Sequence, residues 1–163
     1  MDAHFAHLAE GNARQARKRV AADVLIRDLR GRVLLVDPTY KEGWDLPGGM
    51  VEDNESPHDG ARRELAEELR LDLTPGAPLV IEWVEAHGPW DDQIVFVFDG
   101  GTLTDEQISG ITIGDDEIAA WRFVDPDELD VQLRSTIRHR VELSRRSLAT
   151  GRTEYREGRP GQT

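Results

Sequence analysis

The sequence contains no cysteine, which excludes disulfides, thiolate nucleophiles and zinc–thiolate sites. It has no apolar run approaching the ~20 residues of a membrane-spanning helix, so no membrane partner is expected. The opening residues Met1-Asp2-Ala3-His4 lack the basic start and apolar stretch of a secretory signal, and a cytoplasmic location is the expectation. Positive charge is in deficit: 20 Lys and Arg face 32 Asp and Glu, for a net charge of −12. A surface of that sign repels polymeric nucleic acid. It repels polyphosphates as well, unless divalent cations intervene. No internal repeat or linker interrupts the 163 residues, a length that suits one domain with a real core.

What is present is a balance of 38% hydrophobic and 32% charged residues, typical of a soluble globular chain. Residues before Val20 are polar, helical or loose, and carry the basic cluster Arg14, Arg17, Lys18 and Arg19. A solvated segment is the preferred reading of that cluster; an anion-binding or dimer-contacting arm is the sharper one. Val20 to Ile26 and Val33 to Val36 read as a hairpin turned at Asp28-Leu29-Arg30-Gly31 and ended by Pro38. Tyr40 to Asp45 is a loop, and Leu46-Pro47-Gly48-Gly49 is a tight segment where backbone can approach a ligand.

Ser56 caps a helix with Pro57 in its first turn, and the helix runs to about Leu69 before Thr74-Pro75-Gly76. Leu79 to Val84 and Ile94 to Phe98 read as strands, followed by a turn at Asp99-Gly100-Gly101. Ile118 to Val124 reads as the final strand, and Asp125-Pro126 as the start of a closing helix. Leu133, Ile137, Val141 and Leu148 form its apolar stripe, read as core packing. The tail beyond Gly151 is polar and expected to be mobile. Strands mixed with helices give an α/β (or α+β) class in one domain.

Charge is most concentrated between Gly48 and Leu71. Seven carboxylates (Glu52, Asp53, Glu55, Asp59, Glu64, Glu67 and Glu68) are offset there only by Arg62, Arg63 and Arg70. With Glu64 at zero on a helical wheel, Glu68 falls at about 40° and Glu67 at about 300°. Ala61, Leu65 and Leu69 fall at about 60°, 100° and 140°. Three acids therefore share one face beside a buried stripe. Like charges four apart destabilise a helix by roughly 0.2–0.5 kcal/mol per pair. Such crowding suits a hard divalent cation with oxygen ligands, while a solvated acidic face is the plainer alternative. An EF-hand loop is excluded, because its Asp-x-Asp-x-Asp-Gly spacing is absent.

The spacing extends upstream: Gly49, five residues, Glu55, seven residues, then Arg63-Glu64-Leu65-Ala66-Glu67-Glu68. This resembles the signature of the Nudix hydrolase family, G-x5-E-x7-R-E-U-x-E-E-x-G-U, where U is a bulky aliphatic. The match holds at Gly49, Glu55, Arg63, Glu64, Leu65, Glu67, Glu68 and Leu71. Arg70 stands where the family has glycine. That substitution implies either a strained left-handed helix end or a helix that runs on.

The resemblance spans Arg19 to Leu148. It implies a polar segment at 1–18, a Nudix hydrolase domain at 19–150 and a polar tail at 151–163. The implied fold is an α/β/α sandwich with a mixed sheet between helices. The implied activity is hydrolysis of a nucleoside diphosphate linked to another moiety. The implied cofactor is Mg²⁺, with Mn²⁺ admissible, held by Glu64, Glu67, Glu68 and the carbonyl of Gly49. Glu55 is implied to pair with Arg63 and orient the loop against the helix. The base comes from the helix, where Glu67 is the candidate, or from a later loop, where Glu117 is. The plainer reading of Asp115-Asp116-Glu117 is a polar turn.

Among the remaining residues, Trp44 reads as a base-stacking group or a hydrophobic plug, and Trp90 as a cleft aromatic or a loop anchor. Trp83 and Trp121 read as core, His58 and His87 as surface. The expected partner is a nucleotide-type small molecule, with a homodimer admitted. The competing reading is a Nudix-fold domain that senses a nucleotide or metabolite without turnover. The complete set of Glu64, Glu67 and Glu68 weighs against it. A Nudix-fold isomerase of prenyl diphosphates is disfavoured by the lack of cysteine.

Overall fold

Residues 21–26, apolar except for Asp23, are buried without a break, which requires cover on both faces of their strand. In the computed structural model, which describes residues 2–129 and 133–159, that strand lies inside a seven-stranded mixed sheet. The elements are α1 (Ala3–Ala13), β1 (Arg19–Arg27), β2 (Val33–Pro38), β3 (Gly48–Met50), α2 (Pro57–Leu69), β4 (Pro78–Val84) and β5 (Gln93–Thr102). They continue with α3 (Asp105–Ser109), β6 (Ile118–Val124), a 3₁₀ turn at Pro126–Glu128, α4 (Ser135–Thr150) and β7 (Glu154–Gly158). The sheet order is β6-β2-β1-β5-β4-β7, and β3 also pairs with β1. β1 runs parallel to β5 and antiparallel to β2 and β3.

Alternation along β1 sends its side chains to two cores. Val24 and Ile26 join Leu34, Leu65 and Leu69 under α2. Leu25 joins Leu35, Val97, Ile137 and Val141 under α4. The result is the expected α/β/α sandwich. The stripe on α4 is core, as its spacing implies: Ile137 and Val141 are fully covered. Ser144, which interrupts it, donates its hydroxyl to the Arg140 carbonyl at 2.7 Å.

Local chemistry explains the ends of α2. Ser56 Oγ accepts the Asp59 N–H at 3.0 Å, and Pro57 opens the first turn. The helix stops at Leu69, with Arg70 in the left-handed region (φ 51°, ψ 30°). Arg63 then ties the preceding loop down. Its Nε and Nη2 donate to the two Glu55 oxygens at 2.8 and 3.0 Å, and Nη2 also reaches the Met50 carbonyl at 3.0 Å.

Several expectations need correction. The tight segment at Gly48 and Gly49 is a strand: they pair with Asp23 and Ala22 as β3. A Cβ on Gly48 would lie 2.3 Å from the Ala22 carbonyl oxygen, and its φ is +141°, so glycine is required. Asp99-Gly100-Gly101 does not end β5, which runs on to Thr102 beside a β1 register shift. The helix expected from Asp125 is divided into the 3₁₀ turn and α4. Helix α3 was not legible as an element, although Thr104 and Gln107 form a reciprocal capping box at its start. Trp83 lies outside both cores and donates its Nε1 to Asp92 at 2.8 Å. His58 is half-buried, edge-on to Phe98 at 5.5 Å. Trp121 packs against the α2 core, and His87 is exposed, as expected.

The tail departs most from expectation. Residues 154–158 form β7, parallel to β4 from Val80↔Glu154 to Val84↔Gly158. Its residues are polar, so no apolar alternation announces it. Residues 160–163 of the predicted tail lie outside the described residues. Ionic contacts hold this strand in place. Glu82 of β4 is fully buried and accepts from Arg140 Nε at 2.6 Å. Arg156 Nη1 of β7 lies 3.5 Å from the other Glu82 oxygen, and Arg140 Nη1 lies 3.7 Å from Asp23 Oδ2.

Two expectations about stability follow. Arg140→Met leaves Glu82 charged, buried and stripped of its closest partner, and should cost about 3–5 kcal/mol in urea unfolding. Adding Glu82→Leu should recover most of that loss. The second concerns acid. Hydrogen bonds from Arg63 hold the Glu55 carboxyl below its ordinary 4.5. The stabilisation is therefore complete above about pH 4.5 and lost as pH falls through the lowered folded value. The stability advantage of the wild type over Glu55→Gln should shrink between about pH 5 and pH 3, read by thermal unfolding across that range.

Candidate functional site

The acids of α2 share one face, as the helical wheel requires, but they differ in burial. Glu68 is 3% exposed, the Glu64 side chain 12% and the Glu67 side chain 51%. The order follows the turn of the helix against β3. Glu68 accepts the Gly48 N–H at 3.2 Å. Glu64 stands where a side chain on residue 49 would go: a Cβ on Gly49 would lie 2.6 Å from the Glu64 carboxyl. Only glycine lets the β3 backbone approach that carboxylate. Arg63 Nη1 donates to Glu64 at 2.9 Å and Glu67 at 3.1 Å.

The electrostatics are those of a site with too much negative charge. Burial pushes the Glu68 carboxyl up to about 8; the Gly48 N–H opposes this, and Glu64, Asp23 and Asp115 add to it. Glu64 is also raised, by burial first, with Arg63 opposing and Glu67 and Glu117 reinforcing. Asp23 rises to about 7 through burial and the charge of Asp45, partly offset by Arg140. A carboxyl this buried and this poorly compensated is stabilised in its ionised form by a cation. The donor set, all carboxylate and backbone oxygen, fits a hard divalent ion. Among the described residues, no three acidic or imidazole side chains converge closely enough to ligate an ion as they stand. Arg63 draws Glu64 and Glu67 onto itself.

Glu117 reaches the same place from a separate segment. Its loop is pinned to the end of β2, where the Thr39 N–H donates to the Glu117 carbonyl at 2.8 Å and Thr39 Oγ1 to the Asp116 carbonyl at 2.8 Å. Glu117, Glu64 and Glu68 all line one cavity of about 940 Å³. That cavity also takes in Glu82, Arg140 and Arg156. Trp90 stands at its wall, 55% exposed, with the Arg19 guanidinium 4.8 Å from its ring centre. Trp44 does not line it. It packs against the α4 core, with Arg122 4.2 Å over its ring.

Sequence reasoning missed the second half of the cavity. Asp23 and Glu82 each stand as a lone acid inside an apolar strand, Ala22-Asp23-Val24 and Ile81-Glu82-Trp83. That interruption was the available signal. Arg140 hides among the charges of α4, and Arg156 in a tail with no strand pattern.

Comparison with known proteins accords with this geometry. A NUDIX domain model matches residues 17–145. A nucleoside triphosphate pyrophosphatase/Nudix hydrolase fusion protein of Bifidobacterium longum is 44% identical over 57 residues, which is 34% of this chain and 11% of that protein. This chain therefore spans only about a tenth of that relative's length. A crystal structure of a MutT protein from Methanosarcina mazei superposes with a TM-score of 0.67 at 23% identity, covering 85% of this chain and 99% of that one. The NUDIX domain of Shewanella oneidensis NrtR, solved with ADP ribose, superposes with a TM-score of 0.70 at 18% identity, covering 91% of this chain and 99% of that one. The structural likenesses speak for the fold. The matched stretch runs from just before β1 into α4 and contains every acid of the carboxylate face, and on that span this chain belongs to the NUDIX domain family.

Proposed function

We propose that this chain is a metal-dependent hydrolase that cleaves a pyrophosphate linkage in a nucleoside diphosphate joined to another moiety. One observation carries the reading: Glu64 and Glu68 of α2 and the separate acid Glu117 meet at one cavity large enough for a nucleotide, with Glu67 beside them on the same helix face. Names among the relatives support it, since one is a nucleoside triphosphate pyrophosphatase fused to a Nudix hydrolase.

The roles follow from position. Glu64, Glu67, Glu68 and the Gly49 carbonyl would hold the divalent ion, with Mg²⁺ preferred and Mn²⁺ admissible. That ion supplies charge to neutralise phosphate oxygens and to acidify a nearby water. Glu117 accepts the proton of the attacking water at its carboxylate. Glu67 is the alternative acceptor on the helix, but Arg63 already engages it. The water oxygen bonds to phosphorus as the bridging P–O bond breaks. Glu55 works at one remove: by gripping Arg63 it fixes the loop between β3 and α2. Trp90 offers a flat face for a nucleobase, with Arg19 backing the ring. Trp44, packed on the α4 core, serves as a hydrophobic plug.

A second reading has one observation in its favour. The NrtR domain was solved with ADP ribose bound, and binding of such a ligand is what a domain that senses a nucleotide without turnover would also require. The complete carboxylate set weighs against it.

The test is a phosphate-release screen against nucleoside triphosphates, nucleotide sugars, ADP-ribose, dinucleoside polyphosphates and coenzyme A, with Mg²⁺ and with chelator. Turnover should appear with Mg²⁺ and vanish with chelator. Glu117→Gln should lower kcat by about 10²–10⁴-fold, the range of a lost general base. Glu67→Gln should raise the Mg²⁺ concentration needed for half-maximal rate. Nucleotide binding without any hydrolysis would sink the enzyme reading in favour of the sensor.

A further inference from the structure

Arg70 occupies a position whose backbone suits glycine, at φ 51° and ψ 30°. A Cβ is disfavoured in that region, so the side chain must offer something in return. Its guanidinium turns toward the loop before β6, where Nη2 donates to the Gly114 carbonyl at 2.9 Å. Two backbone bonds reinforce the junction. The Thr112 N–H donates to the Leu69 carbonyl at 3.1 Å, and the Gly114 N–H to the Glu68 carbonyl at 2.9 Å. The fit is tight: a Cβ on Gly114 would lie 2.0 Å from the Glu67 carbonyl oxygen and 2.9 Å from Arg70 Nε. The loop thus caps the carbonyls of Glu68 and Leu69 at the end of α2 and packs against that of Glu67. Three residues further on is Glu117, and beyond it Thr39 holds the other side of the loop.

We propose that Arg70 is a positioning residue for Glu117. It clips the 110–117 loop to the C-terminal end of the carboxylate helix, so that the helix acids and the proton acceptor keep one fixed spacing. The inference rests on the role given to Glu117 above. It makes an unusual demand on the protein. Glycine at 70 would relieve the backbone and remove the clip, so stability and turnover should move in opposite directions. A merely structural arginine would move them together.

The experiment compares Arg70→Gly, Arg70→Lys and Glu117→Gln in the full chain, on the best substrate of the screen at saturating Mg²⁺. Arg70→Gly should keep or raise the urea midpoint. It should lower kcat by about tenfold or more while KM stays within about twofold. Hydrogen exchange at the Thr112 and Gly114 amides should speed up by about tenfold. Arg70→Lys should restore part of kcat. In the Glu117→Gln background, Arg70→Gly should bring no further loss, as expected of residues acting in series. Unchanged kcat in Arg70→Gly beside an impaired Glu117→Gln overturns the role of Arg70 alone. Unchanged exchange at Thr112 and Gly114 overturns it too. Full turnover by Glu117→Gln overturns the assignment of Glu117, and this role of Arg70 with it.

Discussion

The Arg63 guanidinium has five N–H donors, and five hydrogen bonds leave it: two to Glu55, one to the Met50 carbonyl, one to Glu64 and one to Glu67. Those partners come from β3, from the loop after it and from α2. One planar group therefore fixes how the strand, the loop and the helix meet. The glycines of β3 gain their purpose from the same junction, because the strand can lie against Glu64 only if residue 49 has no side chain. Remove the junction and the acids of α2 become an ordinary exposed face, with no backbone beside them.

The rest of the molecule arranges charge around that junction. β1 is covered on both faces, so Asp23 in its middle is buried whichever way it points. Burial of Asp23, Glu68 and Glu82 would be untenable without Arg140 and Arg156, or without a ligand charge at the α2 end. The cavity is thus a place where the fold has concentrated ionisable groups that a core ordinarily excludes. The compensating cations come late in the chain, from α4 and β7.

What the sequence disclosed follows from range. The carboxylate face was legible because helix geometry converts spacing into direction over a few residues. The same held for the Ser56–Pro57 start and for the stripe on α4. Glu55 and Arg63, eight residues apart, meet as the resemblance implied. Legibility failed where the determinant was distant or polar. Nothing local says that Glu117 lines the same cavity as Glu64, because the β2–β6 pairing brings it there. The sequence of β7 reads as a tail because its inward residues are Glu154, Arg156 and Gly158, and burial of such residues depends on partners in other elements. Gly100 looked like a turn. In fact it sits where a Cβ would lie 2.5 Å from the Ile26 side chain, inside a continuous strand. Trp83 and Trp44 show that an aromatic in a strand pattern or a loop does not announce which surface it will cover.

The late arrival of β7 bears on how the chain avoids its neighbours while folding. Until residues 154–158 dock, β4 is an open sheet edge, the kind of edge that recruits strands from other molecules. Glu82 sits midway along that edge and points inward. An inward charge on an uncovered strand makes pairing with a foreign apolar strand unfavourable, while a strand that brings an arginine to the right register is accepted. Arg156 stands directly opposite Glu82 in the parallel register. The pairing of buried Glu82 with Arg156 then works as a password between two segments of one chain, and the burden of that buried charge on the finished fold is the counterpart of selectivity during assembly.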